Sequence, residues 1–172
     1  MAFIPVGSLD PHGAPVLRKE TLANSITVTV NDSVKAASGF IALGTAGALV
    51  YGHVKGIATN KDVGVQSTGA AGAAFGSFVG AYTTASDNQT VGLVKAEMDI
   101  SKFSLYSAEL SAAIGTTTGS NLIGYRMDLT DEDTLDESTA ATTSAQYATH
   151  GVDPNNTAQA IVNIYESQVF GV

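Results

Sequence analysis

Four stretches of this chain alternate apolar and polar residues in steps of two, and a chain built this way has few options. "SITVTV" sets Ile26, Val28 and Val30 against Thr27 and Thr29, and "VGLVKAEMDI" sets Val94, Ala96, Met98 and Ile100 against Lys95, Glu97 and Asp99. "LIGYRMDL" puts Ile123, Tyr125, Met127 and Leu129 on one side. "AQAIVNIYESQVF" divides Ala160, Val162 and Ile164 from Ile161, Asn163 and Tyr165. A period of two is that of a strand with one face on a core and the other in solvent. The short runs "GFIAL" and "ALVYGHVKGI", separated by "GTAG", read as two further strands, and "DVGVQS" as another. In the second run Leu49, Tyr51 and His53 share one face, and Val50, Gly52 and Val54 the other.

The stretch from Thr68 to Ser86 reads as strand and loop, packed in part through Phe75, Phe78 and Tyr82. One segment departs from strand spacing. "SKFSLYSAELSAAIG" places Phe103, Tyr106, Leu110, Ala113 and Ile114 at helical intervals, with Ser101 as N-cap and Gly115 as terminator. Recurrent short strands with turn residues between them predict a mainly-β, compact sandwich or barrel-like domain carrying one short helix. At 172 residues a single domain is expected, covering 25–172. Residues 1–24 are expected to form an extended N-terminal arm.

That arm, "MAFIPVGSLDPHGAPVLRKETLAN", carries Phe3, Ile4, Val6 and Leu9 among Pro5, Pro11 and Pro15. Prolines pre-extend the chain and remove backbone donors, so less entropy is lost when a receptor surface takes up the segment. The four apolar residues are candidate anchors for a partner. On that reading, deleting residues 1–15 removes attachment and leaves the β domain folded. A plain tail, or an arm folded back on its own domain, is the alternative.

Only 14% of the residues are charged, against about 25% in ordinary soluble domains. Gly, Ala, Ser and Thr fill the difference, and a surface with so few charges adheres readily to other protein surfaces. Net charge is −8, and the eight Lys and Arg residues are dispersed. Nucleic acid and anionic membrane surfaces call for clustered positive charge, so neither is expected as a partner. No basic segment followed by an apolar one marks a signal peptide at the N-terminus.

Chemistry is sparse. The chain has no cysteine. His12, His53 and His150 lack ligand spacing to one another or to carboxylates, and neither H-E-x-x-H nor G-x-S-x-G is present. A Ser–His–Asp set drawn from distant positions needs no local motif and stays open, but the expectation is no enzyme, no cofactor and no metal. The glycine runs "GTAGAL" and "GAAGAAFG" match no phosphate-binding pattern. The acidic stretch "DLTDEDTLDE" fails the calcium-loop pattern, with Asp136 where a glycine belongs and Thr142 where the closing glutamate belongs. It reads as a solvated, self-repelling loop. Asp131, Glu132 and Asp133 are candidates for contact with a basic patch on a partner.

"SITVTVNDSVKAASGF", "ALVYGHVKGIATN", "VGLVKAEMDIS" and "GVDPNNTAQAIVNIYESQVF", in that order behind an extended arm, resemble the capsid decoration, or cement, proteins of tailed bacteriophages. The likeness spans the whole chain and rests on the order and texture of its segments. It implies a β-tulip type of domain, made in the host cytoplasm and resident on the outer surface of the virion. It also implies a homotrimer that clamps neighbouring major capsid protein subunits of the expanded head, with the arm reaching onto the shell. A receptor- or glycan-binding β module of a virion fibre or bacterial surface is the alternative, although the chain has no tryptophan to stack on a sugar.

Overall fold

The computed structural model describes residues 3–10, 15–58, 78–92, 94–113, 122–141 and 146–165. The elements run β1 (Ile4–Ser8), β2 (Leu17–Thr21), β3 (Thr27–Thr29), β4 (Ser33–Ala37), β5 (Phe40–Leu43), β6 (Gly52–Ala58), β7 (Phe78–Val79) and β8 (Ala81–Thr83). They continue α1 (Asn88–Val91), β9 (Lys95–Asp99), β10 (Ser104–Leu110), β11 (Arg126–Leu129), β12 (Thr134–Ala141), β13 (Tyr147–Asp153) and β14 (Asn156–Ile164). The protein is mainly β.

Two five-strand rings organise these elements. In the first, β10, β12, β11, β13 and β14 pair in that order, and β14 returns to β10. Strands that alternate direction close only in even numbers, so a ring of five holds one parallel step. Here that step is β10 against β12, and the other four pairings are antiparallel. The second sheet runs β2-β9-β6-β4-β5, with β7 beside β6. Its end strands meet at a parallel bridge between Leu22 and Ile41, where the Ala23 N–H donates to the Ile41 carbonyl at 2.8 Å. The pair β3–β8 forms a separate small sheet.

Each ring wraps its own core. Tyr106, Ala108, Met127, Leu129, Leu135, Tyr147, Val162 and Ile164 fill the first; Val34, Ile41, Val54, Ile57, Ala96, Met98 and Ile100 fill the second. Removing each large aliphatic side chain from water is worth about 1.5–3 kcal/mol, so both rings have a sufficient driving force. Leu22 is buried among the second set, so chain on both sides of position 24 shares one core.

Strand β1 completes the first ring's outer wall. β12 covers only Glu109 and Leu110 on that edge of β10, while β1 pairs with Ser104 through Ser107. Pro5 lies on the rim of the sheet, where a missing donor is tolerated.

Several sequence expectations are corrected here. Residues 104–110 form strand β10 rather than a helix. Tyr106 and Leu110, four apart, fit a period of two as well as helical spacing, and pairing on both edges of β10 decides for the strand, with Ala108 between them on the same buried face. The described helix is instead the single turn α1. Asp99 points into protein instead of solvent, because the first ring packs against that face of β9. Ile123 is 65% exposed, since a turn at Gly124 (φ +82°) precedes β11. The acidic stretch is a β11–β12 hairpin, with Asp136 and Glu137 within β12 and Glu137 buried. "DVGVQS", Phe75, His12 and Ile114–Gly115 lie outside the described residues.

Candidate functional site

The polar groups with the most chemical potential gather where the rings meet. β6 of the second ring contributes His53 and Lys55, and β9 contributes Asp99. β10 and β13 of the first ring contribute Tyr106 and Tyr147. Tyr147 Oη is 2.8 Å from Ser33 Oγ and 2.9 Å from His53 Nε2. The Tyr106 hydroxyl donates to Asp99 Oδ2 at 2.6 Å, and Asp99 Oδ1 accepts from the Ser101 N–H at 3.0 Å. Lys55 Nζ is enclosed without a hydrogen-bond partner, 4.7 Å over the Tyr106 ring.

Phe3 closes this seam. Its ring stacks on Tyr147 at 4.9 Å and 18°, lies 4.7 Å from His53, and meets Tyr106 edge-on at 6.4 Å. Its N–H donates to the Asn31 carbonyl at 3.2 Å. Phe3 is 0% exposed, so of the four candidate anchors one is an internal plug. Ile4, Val6 and Leu9 are 39%, 46% and 45% exposed. The Leu9 N–H donates to the Phe103 carbonyl at 2.8 Å, and the Ile100 N–H to the Val16 carbonyl at 2.9 Å. Exposed Leu9, Val16, Leu17 and Phe103 are thereby gathered around residues 99–103.

Burial governs the titration of the seam. His53 is held well below its ordinary value by desolvation, reinforced by the Lys55 charge. Lys55 is lowered by desolvation, with Asp99 opposing. The Tyr106 and Tyr147 phenols are pushed far up by burial. A His, Lys, Asp, Tyr and Ser grouping contains the parts of a general acid–base site. His53, Tyr106 and Tyr147 are 0% exposed, so the imidazole is enclosed by its neighbours while Phe3 is seated. Lys55 and Asp99, by contrast, border a groove of about 450 Å³ with Pro5, Ser8 and Ser104.

The His53 shift has a measurable consequence. A histidine whose folded pKa is depressed supports the fold fully above its unfolded value near 6.5, and that support is lost as pH falls below it. His53→Gln is expected to be destabilised at pH 8, with its deficit against wild type shrinking steadily down to pH 5 in urea titrations. A deficit independent of pH would refute a buried neutral imidazole.

The acidic candidates sit at another point of the same junction. Asp131 is exposed, Glu132 and Asp133 half-buried, and the Glu132 carbonyl accepts from the Ser33 N–H at 2.6 Å. The Asp133 N–H donates to Asp131 Oδ1 at 3.2 Å, an Asx turn that fixes the hairpin. Asp32, 4% exposed, has its carboxyl pushed up to about 6 by burial, with added repulsion from Glu132, Asp133 and Asp131. The trio is therefore tied to the second ring as well as facing outward. Among the described residues no group of three or more His, Cys, Asp or Glu is arranged to hold a metal ion. No described helix is long and apolar enough to cross a membrane.

Sequence reasoning took His53 as an isolated strand histidine and missed Tyr106, Tyr147, Asp99 and Lys55 as a group. The expected division of Leu49, Tyr51 and His53 from Val50, Gly52 and Val54 does not hold, because β6 begins at Gly52, Val50 packs in the first core, and Tyr51 packs with Val54 in the second. Comparison with protein-family models, with curated proteins and with solved structures returned no match.

Proposed function

We propose that this protein is a structural adhesion component, a capsid decoration protein that binds the outer surface of an expanded phage head and clamps neighbouring major capsid subunits, acting as a homotrimer. The observation that carries the adhesive part of this reading is the placement of exposed apolar side chains. Among the described residues, five of the ten large ones, Ile4, Val6, Leu9, Val16 and Leu17, fall between residues 4 and 17. Ile4 and Val6 lie on β1, paired with β10, and Leu17 on β2, paired with β9, so covering these side chains costs little further chain entropy. The choice of a phage shell rests on the resemblance of the segments to cement proteins. Engagement of several capsid subunits by one oligomer multiplies weak contacts, and binding to the expanded lattice alone stabilises that state by mass action.

The anchors therefore work as a preordered surface: Ile4, Val6 and Leu9 face the shell while Phe3 holds the strand from beneath. Val6→Asp with Leu9→Asp is expected to weaken binding to expanded heads stripped of this protein by about 100-fold, as two half-exposed aliphatic contacts are lost and two charges desolvated. The urea midpoint should stay close to wild type, because both positions are exposed. Undiminished binding in a sedimentation assay overturns the role of this surface, and failure of wild type to bind heads at all overturns the capsid reading.

A glycan-binding alternative would use the groove of about 520 Å³ lined by Glu109, Asn156, Thr157 and Gln159, which offers hydrogen-bonding groups but no aromatic face.

A further inference from the structure

We propose that β1 is an exchangeable strand: the groove formed by the free half of the β10 edge and the Phe3 socket accepts residues 3–8 of a second copy of this chain. The occupant is specified by the fold, because the groove already holds that same segment. A second copy presents identical hydrogen bonds and an identical phenylalanine, so own and exchanged strands differ only in the path of the linker and in concentration.

Three features single out β1. Among the described strands it has one neighbour, whereas every other strand of its sheet has at least two. It buries one large side chain, Phe3, ahead of a strand whose outer residues Ile4 and Val6 are exposed. It is joined to β2 through residues 9–16, which include Pro11 and Pro15, and each proline biases the residue before it toward an extended backbone. In sequence, such a bias favours paths that lead a terminal strand to a neighbouring molecule as well as back onto its own chain.

The socket itself disfavours standing empty. Without Phe3, the faces of Tyr147 and Tyr106 and the unpartnered His53 Nδ1 meet water. Another copy's strand resolves this, and a strand of different sequence would have to supply the same ring. Exchange also carries the outward residues Ile4 and Val6 across to the neighbour, so the apolar band of one copy becomes continuous with that of the next.

The absence of cysteine makes a clean test possible. Ser8 and Ser104 face one another in the β1–β10 register, at a spacing a disulfide spans. Ser8→Cys is placed in a tagged full-length chain and Ser104→Cys in an untagged one, and the two are mixed at high concentration and oxidised. Exchange predicts a tagged–untagged disulfide dimer as the main cross-linked product, falling at least tenfold when the tagged chain also carries Phe3→Ala. The Ser8→Cys/Ser104→Cys double variant should pass from an internal bond at low concentration to intermolecular bonds at high concentration. Only internal bonds at every concentration, with no mixed dimer, would overturn the proposal.

Discussion

Phe3→Ala is expected to destabilise the protein by about 3–5 kcal/mol, the range for deleting a fully buried aromatic ring. The ring contacts three others, two in the first barrel and one in the second, so its loss opens a cavity at a seam and not within one compact core. The walls of that cavity include an imidazole whose Nδ1 has no partner, and water entering there would solvate it without restoring the packing. Neighbouring substitutions give the contrast. Ile4→Ala and Val6→Ala change exposed positions and should each shift stability by under about 1 kcal/mol. In urea titrations followed by tyrosine fluorescence, Phe3→Ala should move the midpoint far more than either. A Phe3→Ala midpoint within about 1 kcal/mol of wild type would mean that the strand is not seated. For the same reason, deleting residues 1–15 is not a neutral test of attachment. It removes Phe3 and the strand that completes the β10 edge, so the truncated chain should be less stable, contrary to the sequence expectation of an untouched domain.

How much of this was legible depended on where each strand's neighbours come from. β9 and β14 show their inward sets in the sequence, Ala96 and Met98 in one and Ala160, Val162 and Ile164 in the other, because each has one face on a barrel interior. β10 is harder to read, because Ser104 and Ser107 are buried along with Tyr106 and Ala108. With small polar residues buried too, the alternation is blurred and helical spacing fits equally well. β4 was hidden behind "NDS", whose turn residues adjoin a strand that begins at Ser33. The seam was illegible for a different reason. Its contacts join positions far apart, Ser33 to Tyr147 across 114 residues and Tyr147 to His53 across 94, and no local pattern encodes such pairs. The arm shows the same limit. Apolar residues between prolines announce a segment that docks, but a docking signal carries no address, and Phe3 docks on the chain's own barrels.

The other large effect is expected at Gly52, the first residue of β6, immediately before His53. A Cβ added there would lie 2.5 Å from the backbone oxygen of Asp99, with the Asp99 carbonyl carbon and Ile100 Cγ2 at 3.2 Å. The nearest obstacle is main chain, which cannot swing aside as a side-chain tip can. β6 and β9 would have to separate where His53 pairs with Asp99. That movement would carry the Asp99 carboxylate away from the Tyr106 hydroxyl and so loosen the contact between the barrels. Gly52→Ala should therefore cost about 3 kcal/mol or more, at the upper end for overpacking, and should expose the seam as well as weaken the second barrel. Gly80→Ala is the matched control, since no described atom lies within 4 Å of its Cβ position and its backbone is not in the left-handed region. Thermal melts should separate the two variants widely, and amide exchange in Gly52→Ala should rise first at residues 53–55 and 98–100. If the two melt alike, the close approach of β6 to β9 is not what joins the barrels, and the sealed state of His53 and Phe3 would need another cause.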